Sequence, residues 1–238
     1  MNALRFKLTI RKELFAGGAL KVEYSCLSGI REGACRHFYR DGLLKRDEHF
    51  RDGKREGLVK RFYRNGNVMM VMSYRHDRPE GVCWRCYEAG GIKRALYYQN
   101  GVVEGVCSHY DPDGRLTSEL LYRSGELHGV SRYYAVEGTL QSEKQYRHGR
   151  LDGESRDLYS SGQIKSTLPY VHGVLEGTVK DYYPGGALLS ERDYHEGLQD
   201  GVTKYYYEDG ALEAVCNFRK GHQEFEHHYP DRIKTEEE

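Results

Sequence analysis

A period of 24 residues runs through the chain and limits what it can fold into more than any other feature. Glycine shows this period most clearly, in a series that has no insertion: Gly33, Gly57, Gly81, Gly105, Gly129, Gly153, Gly177 and Gly201. In a second series, from Gly18 to Gly210, glycine is present in all nine units. In a third series glycine is replaced once, by Asp77. The chain is therefore built from about nine copies of one structural unit.

Other residue types follow the same period. An aliphatic residue occupies the position of Val68 in every unit, and an aromatic residue occupies that of Tyr74 in eight of nine units. An acidic residue recurs at the position of Glu56, and only His128 departs from it. The runs between glycines are short, and pairs such as Asn65-Gly66 supply the left-handed conformations of tight hairpin turns. Short runs between such turns are strands.

The sequence therefore predicts an all-β fold, an elongated single-sheet antiparallel meander of about nine 24-residue β-hairpin repeats. The array is expected at residues 9–231. Residues 1–8 are expected to form an N-terminal extension or edge strand, and residues 232–238 a disordered acidic tail.

A three-residue hairpin loop would place Tyr63 opposite Asn67 and Phe62 opposite Val68. Strand alternation from that pair predicts a packed face with Phe62, Val68 and Tyr74. Counting back by twos also assigns to this face Leu58 and its counterparts Val82, Val106, Val130 and Val202. A second aromatic column, which contains Tyr63, is expected on the opposite, open face.

Charge and composition exclude several classes of function. Lys plus Arg (36) equals Asp plus Glu (36), and this balance argues against non-specific nucleic-acid binding and against a polybasic membrane anchor. No apolar stretch approaches the ~20 residues of a membrane span. Met1 to Phe15 contains no secretory signal, so a cytoplasmic location is expected. The six cysteines are then expected to be reduced thiols.

The segments GLVKRFYRNGNVMMVMSYRHDRPEG (57–81) and GVTKYYYEDGALEAVCNFRKG (201–221) resemble MORN repeats. The similarity is to the variant form found in antitoxin-like bacterial proteins and in large amoebal viruses. It extends from residue 9 to about residue 231. The resemblance implies a sheet of stacked hairpins that acts in protein–protein contacts, scaffolding or, in some members, phospholipid association. It implies no catalytic activity.

No arrangement of residues predicts an enzyme, a cofactor or a metal site. Cys83-Trp84-Arg85-Cys86 is the one CxxC motif, and strand alternation is expected to point its two thiols to opposite faces. Cys35, Cys83 and Cys107 share one column, but two strands separate neighbours, which places them ~10 Å apart and too far for a disulfide. His37 and His109 share a column three units apart. We expect a non-enzymatic protein.

Two columns are candidate binding surfaces. The first is a strip of tyrosines that we expect to contact another protein, because tyrosine is enriched at interfaces: Tyr39, Tyr63, Tyr87, Tyr159, Tyr183 and Tyr207. The second is a basic column: Lys12, Arg36, Lys60, Arg132, Arg156, Lys180 and Lys204. Two interpretations of this column are open. Its side chains bind acidic phospholipid headgroups, or they pair with neighbouring carboxylates across the strands. The leading hypothesis is a protein-binding scaffold, with toxin masking as a specific version. Membrane-surface binding is the alternative, and homo-oligomerisation stays open.

Overall fold

The computed structural model describes residues 7–229, and this part of the chain is all-β. The first eleven strands are β1 Thr9–Leu14, β2 Leu20–Leu27, β3 Ile30–Phe38, β4 Leu44–Arg51, β5 Lys54–Arg55, β6 Gly57–Phe62, β7 Val68–Arg75, β8 Arg78–Cys86, β9 Ile92–Gln99, β10 Val102–Tyr110 and β11 Leu116–Arg123. The others are β12 Glu126–Leu127, β13 Gly129–Tyr134, β14 Leu140–Arg147, β15 Arg150–Leu151, β16 Gly153–Leu158, β17 Ile164–Val171, β18 Val174–Leu175, β19 Gly177–Tyr182, β20 Leu188–His195, β21 Leu198–Tyr206, β22 Leu212–Arg219 and β23 His222–His228. The predicted fold class is confirmed, because all 23 strands belong to one antiparallel sheet.

The chain divides into two compact units. Unit 1 comprises residues 1–117 and 122–125, and unit 2 comprises residues 118–121 and 126–238. In unit 1, β1 to β10 pair with their neighbours in sequence, and β4 pairs with β6 as well as with the short β5. In unit 2, β13 to β23 follow the same pattern. Each unit is therefore a meander of consecutive hairpins.

The first loop of each repeat has the predicted register. Phe62 lies opposite Val68, and the Tyr63 amide donates to the Asn67 carbonyl at 2.8 Å. A β-bulge separates Arg61 from Phe62 in the pairing with β7, and equivalent bulges occur in other repeats. The second loop is a two-residue turn with positive φ at both positions, for example 49° at Asp52 and 78° at Gly53. These values fit the tight turn that matches strand twist.

The packed face contains three buried columns. One is the column of Val59, whose members are Cys35, Val59, Cys83, Cys107, Ser131, Ser155, Val179 and Thr203, all buried. The second lies opposite it and includes the buried Glu48, Met72, Leu96 and Cys216. The third includes the buried Val22, Met70, Ser118, Ser142, Ser166, Ser190 and Ala214. The core of each single-layer unit is therefore a thin layer of small and medium side chains.

The assignment of Leu58 to the packed face is wrong. Leu58 is 54% exposed, whereas its neighbour Val59 is 2% exposed. The counterparts Val82, Val106, Val130 and Val202 are exposed as well. The bulge is the reason, because its extra residue is Met69 of β7, between Val68 and the buried Met70. Alternation along β6 is regular, so Leu58 lies on the same face as Phe62, and that face is the outer one. The counterparts of Phe62 confirm this, since the Tyr134 and Tyr206 hydroxyls donate to the outer-face Glu119 and Glu191.

Tyrosine hydroxyls connect neighbouring repeats at six positions of the column, which is interrupted at Phe15, Asp111 and Ala135. Tyr63 donates to the Cys86 carbonyl at 2.9 Å, across 23 residues of sequence. Four equivalents make the same bond at 2.6 to 2.8 Å: Tyr39 to Phe62, Tyr87 to Tyr110, Tyr159 to Tyr182 and Tyr183 to Tyr206. Tyr207 makes a longer bond of 3.4 Å to Tyr229. These bonds fix the spacing of neighbouring hairpins at the loop edge of the sheet.

The acidic column makes a second connection. The Glu56 carboxylate accepts the backbone amide of His76 at 2.9 Å, in the second turn of the next hairpin. Glu32, Glu80, Glu104 and Glu176 do the same for Asp52, Asn100, Ser124 and Glu196. A carboxylate suits this position because bonds from amides to an ionised acceptor are strong.

Asp77 explains the one gap in the third glycine series. It keeps a φ of 68°, which aspartate tolerates better than most residues. Its carboxylate accepts the Arg55 amide at 3.0 Å and the Arg55 Nε at 2.9 Å. These bonds compensate for the conformational cost of a side chain at this position.

Parts of the predicted domain boundaries lie outside the described residues. Of the extension at residues 1–8, only Lys7 and Leu8 are described, and they precede β1. The acidic tail at 232–238 and the last two residues of the array, 230 and 231, are not described. The described residues contain no helix of the length and apolar character that membrane crossing requires.

Candidate functional site

The predicted tyrosine strip is half-buried and already makes internal contacts. Besides the hydroxyl bonds, cations cover several rings: Lys45 Nζ lies 5.5 Å and Arg64 Cζ 5.1 Å from the Tyr39 ring centre, and Lys93 Nζ lies 5.3 Å from that of Tyr87. Tyr39 and Tyr63 line cavities together with Arg61 of β6 rather than standing on the opposite face. The strip therefore has less free surface than its sequence suggested.

The predicted basic column lies on the outer face, opposite the packed face, and most of its members are paired with carboxylates. The ion pairs are Lys12 with Glu23 (3.2 Å), Arg36 with Asp47 (3.6 Å), Arg132 with Glu143 (2.9 Å), Arg156 with Glu154 (2.8 Å) and Lys180 with Glu191 (3.2 Å). The hydrogen bond from Lys180 leads the causes that lower the pKa of Glu191. Four of these pairs are cross-strand and the pair of Arg156 with Glu154 lies within β16, so the column follows the alternative of pairing with neighbouring carboxylates.

An apolar patch interrupts these charges on the outer face of unit 1. We call it the Trp84 patch, and it consists of Leu58, Val82, Trp84, Tyr97 and Val106. Each of these side chains is between 42 and 54% exposed. Val82 lies directly opposite Tyr97, and Trp84 lies opposite Val71 on one side and Ala95 on the other. The patch occupies β6 to β10, where Trp84 replaces a basic residue and Val71 and Ala95 replace acidic ones.

The same columns are more polar in unit 2. The positions equivalent to Val82 include Glu154 and Thr178, and those equivalent to Tyr97 include Gln145 and Asp193. Thr178 donates to Asp193 at 2.7 Å, so this pair satisfies its polar groups within the sheet. Leu58, Val82 and Val106 thus belong to a column that is apolar again at Val130 and Val202, whereas Trp84 and Tyr97 are local departures from the repeat.

A second departure lies on the packed face of unit 1. The cross-strand row from β3 to β10 contains His37, Arg46, Arg61, Met70, Arg85, Arg94 and His109. We call it the arginine row. Arg46 lies directly opposite Arg61, and Arg85 lies directly opposite Arg94. Burial and the charge of Arg94 lower the pKa of His109.

Two cavities flank the arginine row. One of about 420 Å³ is lined by His37, Arg46 and Arg61 with Phe62 and Met69. The other, of about 530 Å³, is lined by Arg61, Arg85, Arg94 and His109, again with Met69. Lys21 and Lys45 add charge to the first cavity, and Lys93 adds charge to the second. Both cavities combine guanidinium groups with apolar surface.

Cys35, His37 and Glu48 form the one group of three metal-capable side chains in the described chain, with ligand atoms within 4.8 Å of one another. Arg46 Nη2 also lies 3.0 Å from Glu48 Oε1. Burial alone would raise the pKa of Glu48, but the hydrogen bond with His37 and the charge of Arg46 lower it. Burial raises the pKa of the Cys35 thiol to about 11, which disfavours a thiolate ligand. With Arg46 in place, the group is an ion-pair cluster.

The CxxC motif lies in β8, which alternates regularly from the buried Cys83 to Cys86. Cys86 lies opposite Ile92 and Arg85 lies opposite Arg94, so the extra residue of this bulge is Lys93 of β9 and the two thiols face opposite sides of the sheet. Both thiols are free, and burial raises the pKa of each. All six cysteines are free in the structure.

Sequence reasoning missed both the Trp84 patch and the arginine row. The exposed valines were assigned to the core, and His37 and His109 were treated as isolated members of a column. A signal was present in the sequence, since the position of His37 holds His37, Arg61, Arg85 and His109 in four successive repeats but Tyr133, Asp157, Asp181 and Tyr205 in the next four.

Comparison with known proteins places the repeats in a family. A family model for the MORN repeat variant matches residues 55–76, 103–124, 151–172, 175–196 and 199–220. No curated protein matches the chain. A chain in the "Crystal Structure of TcdB2-TccC3-Cdc42" is similar with 13% identity and a TM-score of 0.24, over 90% of this chain and 12% of that one. A chain in the "Crystal Structure of TcdB2-TccC3" has 12% identity and a TM-score of 0.17, over 88% and 14%.

This chain spans less than a fifth of the length of either chain in those structures. The five matched segments each contain one hairpin with the register described above. The family match and the repeated hairpin geometry together show that the chain belongs to the MORN-repeat family, in its variant form.

Proposed function

We propose that this protein is a non-enzymatic scaffold that binds another protein through the Trp84 patch of unit 1. The single observation that carries the proposal is the exposure of five apolar side chains on β6, β8, β9 and β10, at the place where the paired charges of the outer face are interrupted. Contiguous exposed apolar surface of this kind is typical of protein-binding sites. Tryptophan and tyrosine often supply most of the binding energy at such sites.

The repeats support a scaffold rather than a catalyst. The arrangement of side chains around the Trp84 patch includes no nucleophile with an adjacent base. Hydroxyl and carboxylate groups in the periodic columns serve the connections between hairpins, as in the bonds of Tyr63 and Glu56. Masking of a toxin is a specific version of this function, and we propose the cytoplasm as its location because six free thiols suit a reducing compartment.

The acidic-lipid alternative has less support. Five of the seven residues in the basic column already pair with carboxylates, which reduces the charge available to a membrane surface. Salt-sensitive co-sedimentation with vesicles of acidic phospholipid, lost on substitution of Arg36 and Lys60 by glutamine, would favour that alternative over the proposal.

Site-specific photo-crosslinking tests the proposal in cells that express the protein. A benzophenone amino acid is placed at Trp84 or Tyr97 in separate variants. The matched control places it at Val202, which is 41% exposed on the outer face of unit 2. We expect one discrete protein adduct from positions 84 and 97 and none from position 202. Adducts of equal yield from all three positions, or from position 202 alone, would contradict the proposal.

A further inference from the structure

The arginine row places like charges next to each other, and of its four arginines only Arg46 has a carboxylate partner among the described residues. Arg46 and Arg61 are direct cross-strand neighbours, as are Arg85 and Arg94. Like charges directly opposite each other destabilise a sheet. Within the described residues, Glu48 pairs with Arg46, but no carboxylate forms an ion pair with Arg61, Arg85 or Arg94. The row therefore carries positive charge that the fold itself does not need.

The row also has the dimensions of an extended ligand. It crosses seven neighbouring strands from β3 to β10, a distance of about 29 Å at ~4.8 Å per strand. The cavities on either side of Arg61 add apolar surface from Phe62 and Met69. A ligand that fits this surface has several negative charges along an extended backbone and some apolar groups between them.

The rings beside the row favour a peptide over a nucleic acid. Single-stranded nucleic acids bind by stacking their bases on open aromatic faces. Here Arg40 Cζ lies 5.6 Å from the Phe15 ring centre, and Lys45 and Arg64 lie over Tyr39. These cations occupy the ring faces that a base would need. Carboxylates need only the guanidinium groups, which bind them in a bidentate manner.

We propose that the arginine row of unit 1 binds an extended acidic segment of a partner protein. The carboxylates of that segment pair with Arg61, Arg85 and Arg94, and its apolar side chains enter the cavities beside Met69. This site lies on the face opposite the Trp84 patch, so failure of one proposal would leave the other unaffected. Arginine suits the role because it stays charged and offers a rigid pair of donors.

Fluorescence anisotropy of the full chain with a labelled peptide tests this inference. The probe is a peptide of about ten residues in which Glu alternates with Val, long enough to cross the row at ~3.3 Å per residue. The matching Gln and Val peptide is the neutral control. We expect salt-sensitive binding of the Glu peptide alone. The double variant Arg61→Gln with Arg85→Gln should weaken it by about tenfold or more.

The control variant removes two positive charges from the other face of the same sheet. Arg36→Gln with Lys60→Gln changes residues adjacent in sequence to His37 and Arg61, and the peptide affinity should change by less than about twofold. Thermal unfolding separates binding from structure. Because each Gln substitution relieves a like-charge pair, the Arg61 and Arg85 variant should melt at or above the wild-type temperature.

Charge reversal separates loss of binding from loss of structure. Arg61→Glu with Arg85→Glu should lose the Glu peptide and melt at or above the wild-type temperature, because each glutamate lies directly opposite Arg46 or Arg94 and can pair with it. Equal affinity of the Gln double variant and the wild type would overturn the inference, as would an equal loss in the control variant. Tighter binding of oligothymidine or inorganic polyphosphate, compared at equal charge, would reject the acidic peptide as the ligand.

Discussion

Tyr63 shows how a repeated side chain serves the contact between repeats. Its hydroxyl donates to the Cys86 carbonyl, and five other tyrosines of the column make the equivalent bond. A carbonyl at the end of a strand otherwise has no partner in the ladder, so the hydroxyl satisfies a group that burial would penalise. The column therefore recurs for a structural reason, and its use in binding another protein stays a prediction.

Replacing Tyr63 by phenylalanine should destabilise the protein by about 1 kcal/mol, the net contribution of one hydrogen bond. The ring and its packing are kept, so the loss is that of the hydroxyl alone. The measurement is the free energy of unfolding from urea titration. Tyr97→Phe is the control, because Tyr97 is 43% exposed on the outer face, and it should change stability by less than about 0.5 kcal/mol. Equal effects of both substitutions would argue against the structural role.

Among residues 7–229, Glu48 is the one buried carboxylate, and its column holds Tyr24 and Met72 in the neighbouring repeats. It is 2% exposed and lies 2.9 Å from His37 Nε2 and 3.0 Å from Arg46 Nη2. Glu48→Gln should destabilise the protein by about 1–3 kcal/mol at neutral pH, because a bond to a charged group is lost. The measurement is again chemical unfolding, at a series of pH values.

The pH dependence of that difference follows from the lowered pKa of Glu48 in the folded protein. The folded state favours the ionised carboxylate, so its contribution is fully present above the ordinary value of 4.5. It is lost as the pH falls through the lower folded value. The gap between wild type and Glu48→Gln should therefore narrow below pH 4.5, and a gap that widens in acid would contradict the assignment.

At the scale of the hairpin, regular alternation along β6 determines which residues are buried. Val59 and Leu58 are adjacent, yet Val59 is buried and Leu58 is exposed. Val59→Ser should cost about 1.5–3 kcal/mol through the lost burial of an aliphatic side chain. Serine is accepted sterically at this position, since Ser131 and Ser155 are buried in the same column.

Leu58→Ser is the matched control, because it removes an aliphatic side chain one residue away on the outer face. It should change the free energy of unfolding by less than about 0.5 kcal/mol. A larger loss in Leu58→Ser than in Val59→Ser would mean that the alternation runs the other way, as the sequence analysis had it.

The hairpin also shows where sequence reasoning succeeds. The strands, the turns and the pairing of Phe62 with Val68 follow from the glycine series and from the turn residues, because those depend on local backbone conformation. Counting side chains by twos failed along β7, between Val68 and Tyr74, and this error assigned Leu58 to the wrong face. The cause is that the bulge inserts Met69, an extra residue that no residue type announces.

The candidate sites were harder to predict than the fold. The Trp84 patch arises where Trp84, Val71 and Ala95 replace charged residues in two columns that are neighbours only through pairing of the strands. The arginine row joins His37, Arg61 and Arg85 from one column with Arg46 and Arg94 from another. Reading each column separately conceals both features, and the correct cross-strand register reveals them.

At the scale of the whole molecule, zero net charge conceals an uneven distribution. The packed face of unit 1 contains the arginine row, whereas the equivalent positions of unit 2 are Ser118, Ser142, Asp157, Ser166 and Asp181, among others. Net charge therefore excludes a polyanion site only when the charges are evenly spread. Repetition supplies the framework of each unit, and departures from it supply the candidate binding surfaces.

The most direct test of the account is the fluorescence of Trp84 in the complex with the protein captured by photo-crosslinking. The sequence has one tryptophan, so its indole emission reports on the patch alone once the partner's contribution is subtracted with a Trp84→Phe control. Trp84 is 42% exposed in the free chain. We predict a shift of its emission to shorter wavelength and protection from iodide quenching on binding. Unchanged emission and quenching in a saturated complex would contradict the central claim that the Trp84 patch is the binding surface.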